Sequence, residues 1–124
     1  MFRLLPIFLA TLLTVAAAPA DEIEALLHFV GNLQGASFVR NGTAYPAAAA
    51  ESHLRLKWSK QQDDIKTAED FIRLCGTKSS MSNQPYLIRY ADGREIPAAT
   101  VLTTQLEVIR SQKRSSAAPP GKSR

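Results

Sequence analysis

The chain has 124 residues, a single cysteine and a formal charge of +4 from 15 basic and 11 acidic side chains. That length suits one small domain with a modest core, and a lone cysteine leaves no partner for an internal disulfide. Residues 21–110 carry one more acid than base, so the part that can fold has no broad basic field, and nucleic acid is not an expected partner.

In chain order, residues 1–20 read as a secretory signal. Arg3 supplies a short positive start, Leu4–Ala17 is apolar apart from Pro6 and two threonines, and Ala18-Pro19-Ala20 forms a small-x-small site with cleavage expected before Asp21. The apolar run is short for a membrane span, so no stable span is expected after cleavage.

Asp21–Leu33 reads as a first helix. Ile23, Leu26, Leu27 and Val30 share one face, and Asp21 with Glu24 has capping-box spacing. Ser37–Tyr45 reads as a hairpin turning at Asn41-Gly42, the pair that best supplies the two positive-φ positions of a type I′ turn. That loop pairs Arg40 with Thr43, Val39 with Ala44 and Phe38 with Tyr45, an aromatic cross-strand contact. Pro46–Lys60 is a second helix, with Ala47, Ala50, Leu54 and Trp58 in one stripe and Ala49, His53, Leu56 and Lys60 in a neighbouring one.

Gln61–Lys66 is polar and connects to a third helix capped by Thr67, with Asp70 three residues on. Ala68, Phe71, Ile72 and Cys75 form its apolar face, which buries Cys75, and Gly76 is placed to end it. Thr77–Pro85 is a hydroxyl-rich loop. Tyr86–Ala91 is a strand with Tyr86, Ile88 and Tyr90 on one side, and Asp92-Gly93 predicts a second type I′ hairpin returning through Arg94–Ile96. A last helix covers about Ala99–Ser111, and residues 111–124, without a large apolar side chain, read as a disordered basic tail. The expected fold class is α+β: a mainly helical domain of four helices with two short hairpins that can join into one antiparallel sheet.

Three groups of residues carry a family resemblance. They are Phe38-Val39-Arg40-Asn41-Gly42 with Tyr45; Ala50, His53, Leu54 and Lys57 at their helical spacing; and Phe71-Ile72 followed by Ser79-Ser80, Ser82 and Pro85-Tyr86. Over about Ile23–Arg110 the chain resembles the YfeK-like family of small exported bacterial proteins, known as a domain of unknown function. The resemblance implies a periplasmic location and one small domain, and it implies no activity. The chain departs from the family pattern at three places. Gly35-Ala36-Ser37 stands where a cysteine often precedes the phenylalanine, Asn83 where a glycine usually follows the third serine, and Val101-Leu102 where a Trp-Leu pair is expected. Asn is the next most tolerant residue at positive φ, so the turn at Asn83 is expected to survive.

Arg40, His53, Lys57, Ser79, Ser80, Ser82 and Tyr86 form the candidate ligand- or partner-binding set. His53 and Lys57, four apart, share a helix face. If the serine loop folds over that helix, cationic and hydroxyl donors meet on one exposed patch, a chemistry that suits a carboxylate or phosphate. The partner expected is an envelope protein or an anionic envelope component, met by a monomer without cofactor. The same residues also have a structural reading: Arg40 paired with Asp63, Asp64 or Glu69, and the serines satisfying backbone groups around a turn. The enzymatic alternative is a small hydrolase using a serine of Ser79–Ser82 with His53; no G-x-S-x-G or S-x-x-K spacing accompanies it. Metal binding is not expected, because His28 and His53 are the only histidines and no paired-ligand spacing occurs.

Overall fold

The computed structural model describes residues 18–117. The expected signal region before Ala18 and the end of the expected tail, residues 118–124, lie outside them. The described chain is built from helix α1 (Pro19–Gly31), strands β1 (Ser37–Arg40) and β2 (Thr43–Tyr45), helix α2 (Ala47–Lys60), a single 3-10 turn (Gln62–Asp64), helix α3 (Ala68–Cys75), strands β3 (Leu87–Arg89) and β4 (Glu95–Pro97), and helix α4 (Ala98–Ser116). The two hairpins join into one antiparallel sheet in the order β2-β1-β3-β4, giving the expected small α+β domain. No helix of the described residues is long and apolar enough to cross a membrane.

The first hairpin has the register that its turn dictates. Phe38 faces Tyr45, Val39 faces Ala44 and Arg40 faces Thr43. Asn41 and Gly42 lie at φ 51° and 77°, the left-handed pair that lets a two-residue loop follow the twist of its strands. β1 also pairs with β3, Phe38 opposite Ile88, so the chain's first strand ends up inside the sheet.

The second hairpin corrects the type I′ expectation. Gly93 has φ 90° while Asp92 stays in the ordinary region. The Gly93 amide donates to the Tyr90 carbonyl at 2.9 Å and the Tyr90 amide to the Arg94 carbonyl at 2.8 Å. Three residues therefore span the bend, a tight turn followed by a left-handed glycine. Asp92 contributes through its side chain instead. Its carboxylate accepts from the Arg94 amide and guanidinium, which holds it below the usual carboxylate range.

The core lies where the apolar stripes converge. Ile23, Leu26, Leu27 and Val30 of α1, Leu54 of α2, Phe71 and Cys75 of α3, Tyr86 and Ile88 of the β3 segment, and Leu102 and Leu106 of α4 are all buried. Trp58 packs edge-to-face on Phe71 at 6.2 Å between ring centroids.

Helix ends differ from expectation in informative ways. The box expected at Asp21 and Glu24 does not form: α1 begins earlier, behind Ala18, with Pro19 in its first turn. This frees Glu24 for Arg55 on α2 and Glu22 for Arg110 on α4. Thr67 caps α3 as expected, its hydroxyl accepting from the Asp70 amide at 3.0 Å, while the Asp70 carboxylate accepts from the Lys66 amide. Gly76 follows α3 at an ordinary φ of −102°, so backbone freedom is not its role. A Cβ there would come within 2.6 Å of the Leu102 side chain, so the missing side chain is what lets α4 close on α3. Residues 111–116, read as the start of a disordered tail, continue α4.

Candidate functional site

Strand alternation and helical periodicity build one side of the site each. Phe38 and Arg40 share a face of β1, and Tyr45 lies on the same face opposite Phe38. Across from them Ala49, Ala50 and His53 lie on the first two turns of α2. These six residues enclose a pocket of about 140 Å³. Its walls are aromatic rings and methyl groups; Arg40 and His53 are its basic residues, and Tyr45 adds a phenolic hydroxyl.

Behind the pocket stands a buried polar relay. The Lys57 ammonium, on a residue only 9% exposed, donates to the Lys78 carbonyl and to the Tyr86 hydroxyl, each at 3.1 Å. It also sits 4.9 Å from the centroid of the Tyr86 ring, within cation–π range. The Tyr86 hydroxyl is 3.1 Å from His53 Nε2. An ammonium can only donate, and Tyr86 is 1% exposed. The phenol proton is therefore satisfied when it goes to His53 Nε2, which leaves the ring proton on Nδ1. Burial, then the nearby charges of Arg40, Lys57 and Lys60, push the His53 pKa below its ordinary value and favour this neutral ring.

The serines form a second cluster. Ser79, 1% exposed, accepts at Oγ from the Asn41 side-chain amide at 3.5 Å and from the backbone amides of Met81 and Ser82 at 3.3 and 3.4 Å. The Ser82 hydroxyl donates to Asn41 Oδ1 and accepts from the Gln84 amide. Asn83, at φ 61°, completes the turn in the position where the family pattern has glycine. Ser80 is exposed on this loop.

The structure thus brings the expected residues together only in part. His53 and Lys57 both meet the Tyr86 hydroxyl, and Arg40 joins His53 through the pocket. Ser79 and Ser82 bind the first hairpin's turn instead of His53, and Lys57, Ser79 and Tyr86 are buried rather than set on an exposed patch. The hydrolase arrangement finds no hydrogen bond between a serine and His53 among the described residues: His53 Nε2 meets Tyr86, and Ser79 and Ser82 meet Asn41. The ion pair drawn from Arg40 to Asp63, Asp64 or Glu69 does not form either: Glu69 is held by Arg110, and Arg40 makes no ion pair among the described residues. Its Nε is buried without a hydrogen-bond partner.

Sequence reasoning missed Asn41 as a bridging side chain, because its partners lie about forty positions away and no local signal links them. It also missed Phe38, Tyr45, Ala49 and Ala50 as pocket walls, although the Phe38–Tyr45 register pointed to two of them. Cys75 is buried as expected, its thiol pushed up to about 11 by burial, with the Gln61 amide 3.9 Å from its sulfur. No group of histidine, cysteine and acidic side chains suited to a metal ion occurs among the described residues.

Comparison with known proteins agrees with the resemblance. Residues 17–110 match the model of a family of unknown function, DUF5329. Over 72 residues the chain is 39% identical to the uncharacterized protein YfeK of Salmonella typhimurium, a match that covers 58% of this chain and 60% of that relative. The match therefore spans less than two thirds of the curated relative's length. No solved structure matches the chain. The family match extends over most of the described residues, and the chain belongs to that family.

Proposed function

We propose that this member of the DUF5329 family is an exported, non-enzymatic binding module that holds an anionic group of an envelope partner in the pocket between β1–β2 and α2. The observation that carries the reading is Arg40. A guanidinium cannot shed its charge, and among the described residues Arg40 lines the pocket without an ion-pair partner while its buried Nε makes no hydrogen bond, so a charge-assisted bond to an anion would satisfy it. None of the six lining residues is acidic. Two further features support an anion. α2 starts beside the pocket with no side-chain cap and no acid in its first turn, so the positive end of its dipole is not neutralised there. The relay fixes His53 from behind, so the pocket wall is pre-shaped and little ordering is required on binding.

The test is a cross-linking pull-down from envelope extract, using the mature chain and its Arg40→Gln variant as baits. The expected result is a component captured by the first, competed away by excess small anions, and lost from the second while the melting temperature stays within a few degrees. Equal capture by both baits would remove Arg40 from the function. The periplasmic location is checked in the same cells by fractionation, with a processed N-terminus at Asp21 expected.

A further inference from the structure

Resting on the anion-binding reading, we infer that the pocket selects a monocarboxylate carried on a short apolar stem, in preference to inorganic phosphate. The donors available suit two oxygens. Lys57 gives two of its three N–H bonds to Tyr86 and the Lys78 carbonyl and does not line the pocket, so it acts from behind through its charge. Arg40 contributes a planar fork, and the neutral His53 ring contributes one N–H at Nδ1. A planar fork matches the two oxygens of a carboxylate, whereas a tetrahedral phosphate dianion presents three terminal oxygens and calls for more donors.

The remaining walls suit carbon. Phe38 and Tyr45 contribute aromatic rings and Ala49 and Ala50 methyl groups, and the Tyr45 hydroxyl is the one further polar group among the lining side chains. An apolar cavity of roughly 150 Å³ holds a benzene-sized body, and this pocket, at about 140 Å³, has the same capacity. A carboxylate with two or three carbons behind it fills that space, while a bare phosphate leaves the apolar walls in contact with water. The same chemistry is presented by a free short-chain acid and by the C-terminal carboxylate of a peptide ending in a small apolar residue.

The inference is tested by NMR titration of the mature chain with acetate, butyrate, N-acetylalanine, butyramide and inorganic phosphate, following the Arg40 side-chain N–H and the His53 ring. Burying a methylene strengthens binding by roughly fourfold, so butyrate, two methylenes longer, is expected to bind about fifteenfold tighter than acetate. Butyramide is expected to give no saturable shift and phosphate to bind at least about tenfold more weakly than butyrate, with Arg40→Gln weakening butyrate by about tenfold or more. Ala49 is an exposed helix position at the pocket's edge, so Ala49→Leu retains the fold and is expected to erase the gain from acetate to butyrate. Tighter binding of butyrate than of N-acetylalanine assigns the site to free acids, and the reverse order assigns it to peptide ends. Phosphate binding as tightly as butyrate, or acetate as tightly as butyrate, in an Arg40-dependent way overturns the carboxylate inference while the anion site stands. Failure of every anion to give an Arg40-dependent shift overturns both.

Discussion

His53 is held neutral by its surroundings, and this has a consequence for stability. The ring accepts from the Tyr86 hydroxyl, is partly buried, and has Arg40, Lys57 and Lys60 nearby, all of which oppose a second proton. Its native pKa is therefore lowered from the ordinary 6.5 that the unfolded chain retains. Between those two values the unfolded chain binds a proton that the native chain refuses, so stability falls as pH drops through the ordinary histidine range and levels off below the native value. Melting curves from pH 7.5 to 5.5 are expected to show this fall, and His53→Gln is expected to flatten it. An unchanged slope in the variant would mean that the imidazole is not the titrating group. Arg40 is the complementary residue: its charge is constant, so its loss is expected to act on binding with little effect on melting.

The first hairpin and α2 are the elements that make the pocket, and the hairpin depends on its turn. Gly42 sits at φ 77° with no atom within 4 Å of a Cβ placed there, so a side chain meets only backbone strain. Gly42→Ala is expected to cost about 1 kcal/mol, with Gly42→Asn costing less because Asn tolerates the left-handed region. Denaturant melts of the two variants check the order; equal costs would mean that the turn does not hold this conformation in solution. The turn also anchors the serine loop through Asn41, so the loop and the hairpin are expected to loosen together. In this respect the structural reading of Ser79 and Ser82 describes them better than a ligand-binding one, since their hydroxyls are consumed by turn amides and by Asn41. Local patterns made α3 readable through Thr67 and its apolar face, but they misplaced the start of α1 and the end of α4. The start of α1 carries no side-chain cap, and residues 111–116 hold no large apolar side chain to mark them as helix.

At the scale of the molecule, Arg110 ties three helices together. Its guanidinium donates to both oxygens of Glu22 on α1, at 2.9 and 3.0 Å, and to both of Glu69 on α3, at 2.7 and 3.0 Å. Glu22 is buried, so Arg110→Ala leaves its carboxylate without a partner and is expected to cost about 1–3 kcal/mol. Glu69 is exposed and its share is small. Adding Glu22→Gln to Arg110→Ala is expected to recover part of the loss, as read by paired denaturant melts; no recovery would mean that the guanidinium acts through packing alone. No local pattern links Glu22 to Arg110, 88 positions apart. By itself the sequence determined the fold class, the register of the first hairpin and the burial of Cys75, because each follows from backbone preference or from the spacing of apolar residues, while the left-handed turn at Asn83 is implied by the family resemblance. Only the tertiary structure decided that Lys57 turns inward to Tyr86, that the serines serve Asn41, and that Arg40 shares a pocket with His53 while its Nε has no partner among the described residues. A polar side chain's partner depends on which groups the packed elements place within about 3 Å of it, and that distance is set by the meeting of remote segments.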